Sequence, residues 1–390
     1  MLISISIILF SGLLSGWLCK KIRFPALFGM IIAGIIAGPH VLNLLDGSIL
    51  NISAELRRIA LIIILIRAGL KLDVSDLKKV GRPALLMCFL PACFEIAGML
   101  LLAPRLLGLS LLDSAILGSV IGAVSPAVVV PRMIRLIDEK RGTARGIPQM
   151  ILAGASVDDV FVIVMFTTFT GLARGEAVSW VSFANIPLSI LIGIAAGIGA
   201  GLLLGAFFEK GRLTVTLCTV LVFAVSFFLN WLEDAAFIPF AGLIAIMALG
   251  TELKRTRPDT AALLSGVFDK LWVPAEIFLF VLVGASVAIE SAKSAGLTAV
   301  VLILGVLLFR MLGVFCCTLA AGLSFKEKLF CMLAYTPKAT VQAAIGGLPL
   351  SMGLACGQIV LTVSVIAILL TAPLGAFAID LTYQKFLSQD

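Results

Sequence analysis

Residues 147–172 read IPQMILAGASVDDVFVIVMFTTFTGL, an apolar run with Asp158 and Asp159 side by side at its middle. The run exceeds the roughly 20 residues a helix needs to cross the hydrocarbon core of a bilayer. A carboxylate at the centre of such a helix costs about 2.5–3.5 kcal/mol on insertion scales. Ionisable groups kept at that depth line ion and proton pathways, so the pair is the anchor for function.

The rest of the chain reads the same way. Of 390 residues, 61% are hydrophobic and 13% charged, and mean hydropathy is +1.17. Soluble domains are nearer half apolar and a quarter charged. The expectation is a polytopic membrane protein with no room for a separate soluble domain. The basic balance, pI about 9.1, raises the idea of a nucleic-acid partner. The basic residues lie in short connections between apolar segments, where they act as topology signals, so no nucleic acid is expected. Eight cysteines fall in or beside apolar segments, with no CxxC pair and one histidine, His40. A disulfide framework or a metal centre is therefore not expected, and the cysteines read as small packing residues. Residues 2–18 resemble a signal-peptide core, but Lys20, Lys21 and Arg23 follow rather than precede them, which favours a first membrane helix with its N-terminus outside.

Thirteen segments carry span-like character: 2–18, 24–44, 57–71, 83–104, 114–131, 147–172, 186–208, 213–232, 236–250, 271–289, 296–319, 329–350 and 356–379. Alternate connections and their edges hold 21 of the 29 lysines and arginines against 5 on the other side, with Arg67, Arg310 and Lys338 inside segments. That asymmetry obeys the positive-inside rule and places the C-terminus in the cytoplasm. Trp17, Trp180, Trp231 and Trp272 fall near segment ends, as aromatic belts do.

Two segments read as broken. Ile121–Pro131 carries Gly122, Pro126 and Pro131, and Ala334–Pro349 carries Pro337, Gly346, Gly347 and Pro349. Both contain Ala-x-[Ser/Thr]-Pro, at 123–126 and 334–337, seven segments apart and hence opposite in orientation. Interrupted helices at matching places in two halves mark inverted-repeat transporters, with the ion site near the break. Ordinary proline kinks remain the alternative. Ser125, Thr336, Thr340 and Gln342 offer neutral oxygens at the breaks, either as cation ligands or as kink groups bonded to nearby carbonyls. The glycines Gly29, Gly34 and Gly38, and Gly193, Gly197, Gly199 and Gly201, permit close helix approach, in the core or at a dimer face.

Seven ionisable residues lie within segments: Arg67, Glu95, Asp158, Asp159, Glu276, Arg310 and Lys338. Their formal charges leave a single net negative, the complement of one monovalent cation or one proton. Arg67 and Glu276 are close enough to segment ends to snorkel. Successive helix residues point about 100° apart, so Asp158 and Asp159 cannot share one partner. One can hold an ion pair while the other opens to a cavity. The alternative is that both are ion-paired. Arg310 reads as a buried counter-ion for Glu95 or Asp158, because arginine does not release its proton at accessible pH. Lys338 reads as a fixed counter-charge at the helix break, with proton carriage open to it.

The set Ala60–Asp73 (ALIIILIRAGLKLD), Ala123–Pro131 (AVSPAVVVP), Ala153–Asp159 (AGASVDD) and Phe325–Gly346 (FKEKLF…TPKATVQAAIG) closely resembles the NHA-type sodium/proton antiporters of the cation/proton antiporter superfamily, second branch. The resemblance runs over nearly the whole chain, and the short termini look bacterial. It implies an all-α membrane fold of about thirteen helices with inverted repeats and two crossed broken helices. It implies a core of residues 83–172 and 296–379 and a scaffold or dimerisation part of residues 2–71 and 186–289, with a homodimer in a plasma (bacterial inner) membrane. It also implies that Asp159 binds Na⁺ and exchanges protons, with Asp158 its paired neighbour and Glu95, Arg310 and Lys338 as compensating charges. Many bacterial relatives carry lysine where this chain has Arg310, and the animal branch carries arginine. In lysine-bearing relatives the aspartate–lysine pair is invoked for a second transported proton; an arginine there offers no such carrier.

The expected activity is exchange of Na⁺ or Li⁺ for H⁺ by alternating access, without enzymatic catalysis and without a cofactor. A K⁺/H⁺ antiporter and a Na⁺-coupled organic-anion symporter are the related alternatives; a channel or membrane-embedded sensor is the distant one.

Overall fold

A computed structural model describes the chain except residues 23, 72–80, 175–179, 212, 236–239, 288 and 390, and except the side chains of 156, 160, 180–187, 210–211, 234 and 289–295. Arg23, the side chain of Trp180, residues 72–73 of the motif at 60–73 and the start of the ninth segment lie outside the described residues. The described residues are helical throughout, apart from loops and one isolated bridge between Arg141 and Gln389. The helices are α1 (Leu2–Lys21), α2 (Ala26–Ala37), α3 (Gly47–Asn51), α4 (Ser53–Lys71), α5 (Arg82–Met87), α6 (Leu90–Leu107), α7 (Leu111–Ile121), α8 (Pro126–Asp138) and α9 (Ile147–Ala173). They continue as α10 (Trp180–Gly211), α11 (Val215–Ala235), α12 (Gly242–Thr256), α13 (Pro258–Ala285), α14 (Ile289–Thr318), α15 (Phe325–Ala334), α16 (Thr340–Ile345), α17 (Leu348–Ser351) and α18 (Gly357–Phe386). Eight stretches among the described residues are long and apolar enough to cross a membrane.

Each segment read from the sequence contains helix, but several boundaries move. The second segment, expected over 24–44, holds a helix of 12 residues that stops at Ala37. Gly38 is extended there because Pro39 disfavours helical backbone in the residue before it. The tenth, expected over 271–289, begins at Pro258. Proline is tolerated in a first turn. The polar stretch that hydropathy excluded is held by Asp269, which accepts from Arg67 Nε at 2.8 Å and Lys71 Nζ at 2.7 Å.

The chain divides into two compact units, one of residues 1–57, 75–173 and 277–390, the other of residues 58–74 and 174–276. By packing, α1 and α2 belong to the first unit, whereas the functional division expected from the resemblance groups residues 2–71 with the scaffold. In the first unit α14 packs along α6, and α9 lies against α5, α7 and α8. In the second, α10 packs along α12. A Cβ at Gly197 would run into the Ala245 carbonyl, and one at Gly193 would come 3.3 Å from Ala241 Cβ. These α10 glycines therefore serve close approach within the unit.

Local signals set the ends that frame the site. Ser110 caps α7 by accepting from Asp113 N at 3.1 Å. Ser324 and Glu327 form a reciprocal capping box on α15. Pro126 opens α8 in its first turn, where its missing N–H leaves nothing unsatisfied. At the other end, Asp380 of α18 accepts from Arg132 of α8 at 3.2 Å, and Gly142 N donates to Ser388 O at 2.9 Å.

Candidate functional site

Helix α9 presents its two aspartates to different surroundings, as a turn of about 100° per residue requires. Asp158 is fully buried, and its Oδ2 accepts from Arg310 Nη2 and from the Val124 backbone N–H, both at 2.8 Å. Asp159 is partly exposed, makes no ion pair among the described residues, and has a buried Oδ1 without a hydrogen-bond partner. The helix thus separates an anchored carboxylate from an available one.

Arg310, fully buried on α14, is the hub. Its Nε donates to Tyr335 O at 2.6 Å, its Nη1 to Glu95 Oε2 at 2.7 Å and to Gly122 O, and its Nη2 to Asp158. The guanidinium also lies 5.1 Å from the Tyr335 ring centroid. Lys338 Nζ donates to the same Glu95 Oε2 at 2.6 Å. Both partners proposed for Arg310 are engaged at once, and Lys338 is a counter-charge to Glu95. Two cations and two anions make a fully buried chain of ion pairs, Asp158–Arg310–Glu95–Lys338, a quartet of zero formal charge. Isolated buried charges are costly, and only dense pairing and hydrogen bonding of this kind offsets their desolvation. What the quartet leaves over is the single negative charge of Asp159.

The broken segments meet at this quartet. The first is interrupted between α7 and α8, and the second between α15 and α16. Ser125 N donates to Pro337 O at 2.8 Å, one break bonding the other. Gln342 Nε2 reaches back to the carbonyls of Val120, Ile121 and Ala123 at 3.2, 3.2 and 2.9 Å, while its Oε1 accepts from Ala339 N at 2.8 Å. Proline removes N–H groups and helix ends leave carbonyls unpaired. The crossing satisfies several of those groups with one another. Thr371 on α18 adds a hydroxyl that accepts from Lys338 N at 2.9 Å.

The four neutral oxygens expected at the breaks divide. Ser125 Oγ and Thr340 Oγ1 are buried with no hydrogen-bond partner. Thr336 donates its hydroxyl to Leu333 O at 2.8 Å, and Gln342 is occupied at both ends of its amide. Asp159 Oδ1, Asp158 Oδ1 and Glu95 Oε1 are likewise buried without a hydrogen-bond partner, so the Ser125 and Thr340 hydroxyls are neutral oxygens that a hard monovalent cation at Asp159 could use. No group of three His, Cys, Asp or Glu side chains suited to a metal is present among the described residues.

Sequence reasoning missed Tyr335, Val124, Thr371 and the carbonyl of Gly122, a residue it read only as a helix breaker. Three of them act through backbone groups or a hydroxyl with no sequence signature. Tyr335 had one: a tyrosine inside the Ala-x-Thr-Pro break of a chain with two tyrosines. Its hydroxyl donates to Met87 O at 3.1 Å, and Gly154, one turn before the aspartates, leaves room for it.

The family model for the sodium/hydrogen exchanger, transmembrane, matches residues 5–384. The chain is 34% identical to "Sodium/hydrogen exchanger 9B2" of Xenopus tropicalis, covering 100% of this chain and 75% of that protein. It is 33% identical to the human protein of that name, again over 100% of this chain and 75% of the relative. Among solved structures, the sodium proton antiporter MjNhaP1 from Methanocaldococcus jannaschii at pH 8 matches with a TM-score of 0.82 at 21% identity, over 98% of this chain and 97% of that one. This last likeness carries the fold.

Proposed function

The chain belongs to the sodium/hydrogen exchanger family, and on that premise we propose that Asp159 is the carboxylate at which Na⁺ and H⁺ compete. The protein is a multi-pass membrane antiporter that exchanges Na⁺ for H⁺. The observation that carries the role of Asp159 is its unpaired carboxylate beside a quartet of Glu95, Asp158, Arg310 and Lys338 that is already neutral.

The mechanism follows from charge. A bound Na⁺ or a bound proton each cancels the one uncompensated negative charge, so either loaded form carries a neutral site. The unloaded site keeps a charge whose desolvation opposes passage through an apolar barrier. Exchange is then coupled because only loaded forms cross. Asp158 does not join this cycle, since its ion pair with Arg310 ties α9 to the first break. Arg310 cannot deliver a proton, which favours one proton per cycle. Ser125 and Thr340 hydroxyls supply neutral ligands to the cation. The core helices at 83–172 and 296–379 move against a scaffold at 2–71 and 186–289, in a homodimer. The basic bias supports an N-terminus outside and a C-terminus in the cytoplasm, in a plasma membrane. Identity to the 9B2 relatives over the full chain, with the Asp158–Asp159 pair, supports the second branch of the superfamily.

The test is flux in proteoliposomes holding a pH gradient, read with a pH-sensitive dye after addition of Na⁺, Li⁺ or K⁺. Na⁺- or Li⁺-driven collapse is expected for the natural protein and none for Asp159→Asn. Undiminished exchange by a folded Asp159→Asn would remove that residue from the mechanism.

A further inference from the structure

The far end of the second broken segment adjoins a buried cation that the Asp159 site does not use. Arg57, one turn into α4, is 4% exposed. Its Nε donates to Ser53 O at 3.2 Å, and its Nη1 is sealed from solvent with no hydrogen-bond partner. No carboxylate among the described residues pairs with it. Arg310 differs sharply, since two carboxylates answer its charge. A buried guanidinium without an anion is among the costlier arrangements a protein can hold.

The surroundings are built around this group. A Cβ at Gly347 would collide with Nη1 and stand 2.8 Å from Nη2 and 2.9 Å from Cζ. The backbone of Gly347 has φ −93°, a value open to every residue. Glycine is therefore required there for space, to admit the guanidinium, and not for conformation. The start of α18 runs beside this stretch: a Cβ at Gly346 would meet Ser364, and one at Gly357 would meet Leu350. The same start of α18 carries Gln358, whose Nε2 is also buried without a partner. Two unpartnered donors and one uncompensated positive charge flank residues 346–350.

We propose that Arg57, given room by Gly347, is an anion site at the end of the second broken segment. Its ligand carries one negative charge and acceptor lone pairs. Two sources supply that chemistry: a halide from solution, or the phosphodiester of an anionic lipid headgroup. A water molecule satisfies an N–H but leaves the charge unanswered, so an anion is the better fit to this donor set. Arg57 donates no bond within the quartet, so the site stands whether or not Asp159 exchanges ions.

The experiment reads binding through heat stability and needs no transport assay. Purified protein in an uncharged detergent is melted at constant ionic strength while chloride replaces gluconate. A parallel series holds gluconate constant and replaces phosphatidylcholine with phosphatidylglycerol. A saturable rise in Tm on the order of 2–4 °C is expected in one series and not in Arg57→Gln. A chloride response assigns the solution ion, and a phosphatidylglycerol response assigns the lipid. If Arg57→Gln does not fold, Arg57→Lys serves instead, with the half-saturating concentration raised tenfold or more. Indifference of the natural protein to both series overturns the proposal. So does a rise that never saturates, or one that the Arg57 variants keep in full.

Discussion

Arg310→Ala is expected to cost the protein its stability before it costs it the Asp159 carboxylate. Arg310 donates to Glu95, Asp158, Tyr335 O and Gly122 O from a fully buried position. Removing it leaves Asp158 buried with the Val124 N–H as its remaining donor, while Glu95 keeps Lys338. Breaking a buried pair by deleting one partner costs about 3–5 kcal/mol. At about 2 °C per kcal/mol, this corresponds to a Tm lower by roughly 6–10 °C. Asp159→Asn is the internal control: it breaks no ion pair, so its Tm should stay within about 2 °C of the natural protein. The assay is fluorescence-detected size exclusion after heating, run on both variants and on Arg310→Ala/Asp158→Asn. The double variant removes the orphaned charge and should recover part of the loss. Arg310→Ala melting like the natural protein, or Asp159→Asn melting below it, would refute the assignment of anchored and available carboxylates.

Gln342→Leu should slow exchange and lower stability by about 1–3 kcal/mol, because the carbonyls of Val120, Ile121 and Ala123 lose their common donor; thermal melts and initial flux rates check both. Gly154→Val should destabilise by about 1–3 kcal/mol, since even a Cβ there would stand 2.5 Å from Tyr335 Oη and 2.9 Å from Met87 Cβ; a Tm equal to that of the natural protein contradicts the packing. Asp46, in the connection before α3, has its carboxyl held below the usual carboxylate range by the Ser48 backbone N–H. A depressed folded value gives stability that is present above about pH 4, the unfolded value, and lost as pH falls through the folded one. The Tm difference between the natural protein and Asp46→Ala should therefore shrink below pH 4, and a difference independent of pH counts against the cap. Competition at Asp159 predicts that the half-saturating Na⁺ concentration falls as pH rises, read from flux at several pH values.

Much of this protein was legible in its amino-acid order. Hydropathy spoke for a multi-pass membrane protein, because the bilayer imposes one length and an apolar face on every crossing. Breaks at Ser125-Pro126 and Thr336-Pro337 were visible because proline cannot donate to a helix. The separation of Asp158 from Asp159 followed from helical geometry, but which of them is anchored did not. Tertiary structure decided that, by bringing Arg310 from α14 to Asp158 and Glu95 at once. It showed that Gln342, read from sequence as either a cation ligand or a kink group bonded to nearby carbonyls, donates to three carbonyls of the other break, and that Gly193 and Gly197 admit α12. It moved helix ends wherever ion pairs outweighed hydropathy, as at Asp269 with Arg67 and Lys71. The physical reason is common to all of these. Span and break are properties of a segment against its solvent, and one sequence contains them. Pairing is a property of two segments whose approach is fixed by packing across the whole fold, and no local pattern encodes it.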